Sequence, residues 1–186
     1  MRQQEFDIHT YRLDSSFEAA GYFGGATGRR QSLQEEPTMG LYYEDFEIGK
    51  EYESPGRTVT EADLVLYTGL SGDYNQLHTD DEYCKKHSVY DRRMVHGLFA
   101  LTIVEGLKFR LGLFEGTALA SLEWTWKHTG PLFVSDTVQA KWSITGKREN
   151  ILPGRGIIWE EVRLVNQNDE VIGEGSHTVM MQRRPA

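Results

Sequence analysis

Residues 94–113 read MVHGLFALTIVEGLKFRLGL, the most apolar stretch of the chain. Its hydrophobic residues, Met94, Val95, Leu98, Phe99, Leu101, Ile103, Val104, Leu107, Phe109 and Leu111, point nearly all round a helix. A helix that is apolar on every side is expected to be buried. After Gly116 the period changes to two. Ala120, Leu122, Trp124 and Trp126 alternate with Ser121, Glu123, Thr125 and Lys127. Val138, Ala140, Trp142 and Ile144 alternate with Gln139, Lys141 and Ser143. A third run covers 157–165, and Asn166-Gln167-Asn168-Asp169 reads as a hairpin turn. A fourth run puts Val171, Gly173, Gly175, His177, Val179 and Met181 on one face. One buried helix followed by four antiparallel strands predicts an α+β fold, a sheet wrapped on a central helix.

Upstream, Thr60-Glu61-Ala62-Asp63 carries an N-cap signal with an acid at the third position. The apolar face of that helix is expected at Leu64, Leu66, Tyr67 and Leu70. Residues 71–78 are turn-rich, and 80–87 read as a short polar helix. Residues 1–38 show no sustained period and are expected to form a flexible extension, with room for a short helix over Ser15–Ala20. Met39 opens a denser sequence. The expectation is therefore one domain over 39–186, with Met39 an alternative start and 1–38 dispensable.

The 186 residues are 39% apolar and 26% charged, ordinary for one soluble globular domain. No run of about 18 uncharged apolar residues is present, which excludes a membrane-spanning helix. Lys plus Arg is 20 against 28 for Asp plus Glu, a net charge of −8 that argues against general nucleic-acid affinity. Cys84 is the single cysteine, so neither an intrachain disulfide nor a cysteine-based zinc site can form. A reducing, cytoplasmic setting is the simplest expectation.

The chemistry-bearing residues concentrate in 71–97. Ser71-Gly72-Asp73-Tyr74-Asn75-Gln76-Leu77-His78 places a carboxylate five residues from an imidazole in a turn-forming segment. Such a turn either brings Asp73 and His78 to one point, where they can hold and activate a water, or is an ordinary Asx-turn loop with a surface histidine. Asn75 reads first as a turn-former. Val95-His96-Gly97-Leu98 heads the apolar helix. A helix N-terminus offers unpaired N–H groups, and Gly97 lets a substrate carbonyl approach them, an oxyanion-hole geometry; a packing glycine is the alternative. His96 reads as a cap or a buried, hydrogen-bonded histidine.

These two segments resemble the MaoC-like, (R)-specific enoyl-CoA hydratase family. Tyr43-Glu44-Asp45-Phe46, Gly130-Pro131, Asp136-Thr137 and Gly173-Glu174-Gly175 support the resemblance, which spans roughly three-quarters of the chain. It implies the hot-dog fold, a coenzyme A thioester as substrate, and no metal or organic cofactor. It further implies that Asp73 and His78 activate the water and that the Gly97 N–H stabilises the thioester enolate. Asn75, Gln76, His96 and Glu105 are the candidate substrate-binding residues. Two positions depart from the family. Gln76 stands where proline is usual and stiffens the turn. Glu105 stands where some relatives carry a small hydroxyl residue. Its carboxylate needs a partner or a proton: either an ion pair with Lys108 one turn on, or a role in tuning the site or recognising a polar acyl group.

The implied activity is hydration of a 2-enoyl-CoA, or the reverse dehydration, with branched or dicarboxylic acyl groups in view. A hot-dog thioesterase and a non-catalytic acyl-CoA-binding subunit are the other readings. Lys127, Lys147, Arg148 and Arg155 are candidates to meet the coenzyme A phosphates. His128 and His177 have no partner that the sequence identifies. An exposed sheet face or edge predicts a homodimer or dimer-based oligomer, with two sheets joined edge to edge.

Overall fold

The protein is described by a computed structural model covering residues 39–149 and 153–185. The expectations for 1–38 lie outside the described residues. The described chain opens with a 3-10 turn, Tyr43–Asp45, then two short strands, β1 (Glu51–Glu53) and β2 (Arg57–Thr58). Four helices follow: α1 (Glu61–Ser71), α2 (Gln76–Thr79), α3 (Asp81–His87) and α4 (Gly97–Phe109). Four long strands complete the fold: β3 (Ala118–His128), β4 (Thr137–Glu149), β5 (Arg155–Val165) and β6 (Val171–Gln182). The sheet is antiparallel in the order β1-β4-β5-β6-β3, with β2 also on β4. Among the described residues no helix is long and apolar enough to cross a membrane.

The local signals explain most of these elements. Thr60 accepts a hydrogen bond from the Asp63 N–H, and the Asp63 carboxylate accepts one from the Thr60 N–H, a reciprocal cap that starts α1. Gly72 ends it at φ +71°, where a side chain would be strained. Asp80 caps α3, as the short polar helix requires. Asn166 closes the β5–β6 hairpin, its Oδ1 accepting from the N–H groups of Asn168 and Glu170. Val138, Ala140, Trp142 and Ile144 are all buried, as the alternation predicts. They meet Phe99, Ile103, Val104 and Leu107 of α4 in one core. Burying each such aliphatic side chain contributes about 1.5–3 kcal/mol.

Several expectations need correction. The apolar run from 94 to 113 is helical only over Gly97–Phe109. Met94 and Val95 are instead spent on backbone bonds, donating to the carbonyls of Leu77 and Leu132. Nor is α4 buried all round: Leu98 and Phe109 are exposed, with Thr102, beside half-buried Leu101 and Glu105. On α1 the buried stripe is Leu64 and Thr68, and Leu66 and Leu70 face out. Residues 64 and 68 share one face of the helix, and 66 and 70 share another. On β3, bulges at Leu119 and Leu122 break the alternation. Ser121 therefore lies on the His177 side of the strand, where its Oγ meets His177 Nε2 at 2.8 Å, and both Ser121 and Leu122 are exposed.

The expected Glu105–Lys108 pair does not form either. Lys108 is fully buried, and its Nζ donates to Glu160 Oε2 of β5 at 2.6 Å. The same Nζ lies 2.9 Å from His177 Nδ1 of β6. The same Nδ1 lies 3.0 Å from Glu160 Oε2, so it faces the carboxylate and the ammonium together. Ser121 Oγ lies 2.8 Å from Nε2 and, as a hydroxyl, can donate to it or accept from it. Trp124 stacks on the His177 ring at 3.9 Å, and the Lys108 ammonium lies 5.2 Å from the centroid of Trp124 and 5.1 Å from that of Phe114. One polar chain thus ties α4 to β5, β6 and β3.

Burial alone would raise the Glu160 carboxyl, but the neighbouring His177 and Lys108 outweigh it and hold the carboxyl below its usual range. Burial pushes the His177 imidazole down; Glu160 opposes this and Lys108 adds to it. Both groups therefore bind fewer protons in the folded chain than in the unfolded one at acid pH. Their stabilisation is complete above about pH 6.5, the unfolded imidazole value. It declines as the pH falls below that, and again below about 4.3, the unfolded glutamate value. Urea unfolding across pH should show both stages, and His177→Gln should flatten the first. At neutral pH, Lys108→Met should cost about 3–5 kcal/mol by stranding Glu160, and Lys108→Met with Glu160→Leu should recover part of that loss.

Candidate functional site

The loop from Gly72 to Asn75 and the short α2 form one side of the site. Asp73 Oδ1 accepts from the Asn75 N–H at 3.2 Å, and Asn75 Oδ1 accepts from the Leu77 N–H at 2.9 Å. Asn75 thereby caps α2 and Asp73 shapes the turn before it. Gln76 is the first residue of α2 and is exposed. Proline is tolerated at such a position because its N–H has no intrahelical partner. Glutamine there keeps the helix start and gives up only the stiffening of the turn.

His78 is fixed by Met94. Its Nδ1 lies 2.8 Å from the Met94 carbonyl, which only accepts, so Nδ1 carries the proton. The Met94 N–H donates to the Leu77 carbonyl at 3.0 Å, so the backbone leading into α4 holds α2 in both directions. His78 Nε2 is left with its lone pair, 3.9 Å from Asp73 Oδ2. That is too long for a direct hydrogen bond and suits one water donating to both groups. His96 is buried, and its Nε2 donates to the Asp73 carbonyl at 3.0 Å. Its ring stacks on His78 at 3.8 Å and lies under Tyr67 at 5.1 Å. Its backbone occupies the N-cap of α4, but its side chain makes no cap bond.

Gly97 begins α4 and is exposed, so its N–H is one of the helix's unpaired donors. A Cβ on Gly97 would stand 2.7 Å from His128 Cε1 and 2.9 Å from its Nε2. His128, the last residue of β3, therefore rests on the glycine and belongs to the site. No local sequence signal marks this contact, because it joins two elements 31 positions apart. His177 and Glu160 were readable in principle. Glu160 shares strand parity with Ile158, Val162 and Leu164, all buried.

The structure thus brings Asp73, Asn75, His78, His96 and Gly97 together. Glu105 lies two turns further along α4, on a cavity of about 230 Å³ that it shares with Lys108, Ser121 and His177. Of the four basic candidates, Lys127 lies at the His128 end of β3, while Lys147, Arg148 and Arg155 lie at the other end of the sheet. Lys147 is occupied with the 3-10 turn, donating to the Phe46 carbonyl. Cys84 is buried, and burial pushes its thiol pKa up. One ligand atom each from Asp73, His78 and His96 lies within 4.8 Å of the others, close enough to hold a metal ion.

Residues 45–153 match the family model of the MaoC-like domain. The chain belongs to the MaoC-like dehydratase family. It is 32% identical over 110 residues to Protein MaoC of Klebsiella aerogenes, covering 59% of this chain and 32% of that protein, so it spans about a third of that relative. It is 28% identical over 144 residues to the (R)-specific enoyl-CoA hydratase of Rhodospirillum rubrum, covering 77% of this chain and 93% of the relative. Among solved structures, a conserved hypothetical protein of Mycobacterium tuberculosis described as a double hot-dog fold superposes with a TM-score of 0.70 at 19% identity. That match covers 78% of this chain and 45% of the other. The α4 helix wrapped by the antiparallel sheet is a hot-dog fold.

The contact between Gly97 and His128 gives a direct test. Because the His128 ring is an exposed side chain that can swing, Gly97→Ala should displace it at a cost below about 1 kcal/mol. The His128 ring resonances and the urea midpoint report the two effects. Several kcal/mol of destabilisation would instead mean that the ring is fixed.

Proposed function

We propose that this MaoC-like protein hydrates 2-enoyl-CoA thioesters, or dehydrates the corresponding (R)-3-hydroxyacyl-CoA, at Asp73, His78 and Gly97. The observation that carries this reading is the 3.9 Å separation of His78 Nε2 from Asp73 Oδ2 beside the free N–H at the head of α4. A water donating one hydrogen to each group presents its oxygen to C3 of the substrate. As that oxygen adds to C3, the pair takes up a proton and negative charge moves to the thioester oxygen. The Gly97 N–H and the positive end of α4 stabilise that charge. The proton returns to C2 from the same face, giving the 3-hydroxyacyl thioester. Membership of the family and the similarity to a named hydratase support the substrate class. His96 positions Asp73 through the Asp73 carbonyl.

This proposed hydration uses a base, an acid and an oxyanion donor, and no cofactor enters it. Extensive dialysis against a chelator should leave turnover intact. Loss that zinc restores would place a metal on Asp73, His78 and His96. The assembly proposed is a homodimer. β3 is an eleven-residue strand whose outer side is unpaired among the described residues, and it carries exposed Leu119 and Leu122. Sedimentation should show a dimer, and a monomer at every concentration would contradict this.

The test is loss of the enoyl absorbance of crotonyl-CoA. Asp73→Asn and His78→Ala should each lower kcat by roughly 10²–10⁴ while the fold is retained. Release of free coenzyme A would point to a thioesterase. Binding without turnover across short-chain thioesters would point to a non-catalytic subunit.

A further inference from the structure

One face of α4 is not packed into the core. Leu98, Leu101, Thr102, Glu105 and Phe109 run along it from Gly97, exposed or half-buried. They lead to the cavity of about 230 Å³ between α4 and the β3–β6 pair. β3 lines the same path in the opposite sense, with His128 against Gly97 at one end and Ser121 in the cavity at the other. The walls of the cavity are apolar: Phe109, Phe114, Leu119 and Val179. Its polar groups are few and definite. Glu105 lines it, and Glu105 Oε2 is buried with no hydrogen-bond partner among the described residues. Ser121 Oγ lies 2.8 Å from His177 Nε2 and keeps oxygen lone-pair capacity toward the cavity. Lys108 also lines it, with its Nζ directed at Glu160 and His177.

We infer that this cavity receives the far end of the acyl group and selects one that ends in a hydroxyl. The inference rests on the acyl-CoA reading above. A hydroxyl donates to Glu105 Oε2 and gives that oxygen the partner it lacks, with Ser121 Oγ lining the same cavity. A plain alkyl end leaves the carboxylate oxygen buried without a donor, and such stranding is heavily penalised. A carboxylate end meets Glu105 as a like charge, because Lys108 is already engaged; this sets aside the dicarboxylic acyl groups that the sequence left in view. An ammonium end carries three N–H groups, more than this mostly apolar lining can accept. The two turns from Gly97 to Glu105 span about 12 Å, which calls for a medium-length chain of about eight carbons.

The test is calorimetric binding of saturated thioesters to the full chain, beside the crotonyl-CoA assay. The probes are octanoyl-CoA, 8-hydroxyoctanoyl-CoA, 8-aminooctanoyl-CoA and the eight-carbon dicarboxylic mono-CoA thioester. The hydroxylated thioester should bind roughly tenfold or more tightly than each of the others. Glu105→Leu should reverse its order with octanoyl-CoA, whereas Glu105→Gln, which keeps an acceptor, should preserve it. Equal or tighter binding of octanoyl-CoA by the wild type would overturn the inference. So would preference for the acid or the amine, or no binding by any of the four. Crotonyl-CoA, too short to reach the cavity, separates the cases. Asp73-dependent hydration of it without hydroxyl preference ends the inference alone. No hydration and no binding ends the functional reading as well.

Discussion

A lysine, a glutamate and a histidine buried together hold this fold in register. Lys108 belongs to the central helix, Glu160 to β5 and His177 to β6, and Ser121 extends the chain to the edge strand β3. Taking these groups out of water is costly, and an apolar cluster of the same volume would often be no less stable. What the polar chain adds is direction. A hydrophobic helix can slide or rotate on a hydrophobic sheet with little penalty, but Lys108 is satisfied in only one setting. The aromatic rings of Phe114 and Trp124 beside the ammonium keep water away from that setting.

Fixing the helix fixes the site. Gly97 heads the same α4 that carries Lys108, so the position of its N–H follows from the position of the lysine. The backbone just before the helix then holds α2, through the Met94 carbonyl on His78 and the Met94 N–H on Leu77. His96 reaches back to the Asp73 carbonyl. The Asp–His pair is therefore set by backbone contacts to the approach of α4, and neither catalytic candidate depends on the other for its placement. His128 closes the arrangement from the sheet side, and Gly97 has no side chain to obstruct it.

The order of elements was legible because the hydrophobic period switches once, from helical to alternating. Thr60 and Asp63, the Asn166 turn and the inner face of β4 also announced themselves, since each depends on neighbours in sequence. Other features depend on partners far along the chain. The bulges at Leu119 and Leu122 turn Ser121 toward His177, and no local signal marks a bulge in an otherwise regular strand. Lys108 seemed to belong to Glu105 because i and i+3 are neighbours on a helix, but the interior offered it Glu160. The Asp73–His78 proximity was readable from the turn composition. The approach of His128 to Gly97 was not.

In the proposed mechanism one Asp–His pair adds oxygen and hydrogen to the same face of the double bond. Hydrating crotonyl-CoA in deuterium oxide and resolving the product by proton NMR tests it most directly. The expected product is an (R)-3-hydroxybutyryl thioester with a single deuterium at C2, placed by syn addition. Anti addition, a mixture of C2 epimers at early times, or the (S) alcohol would contradict it.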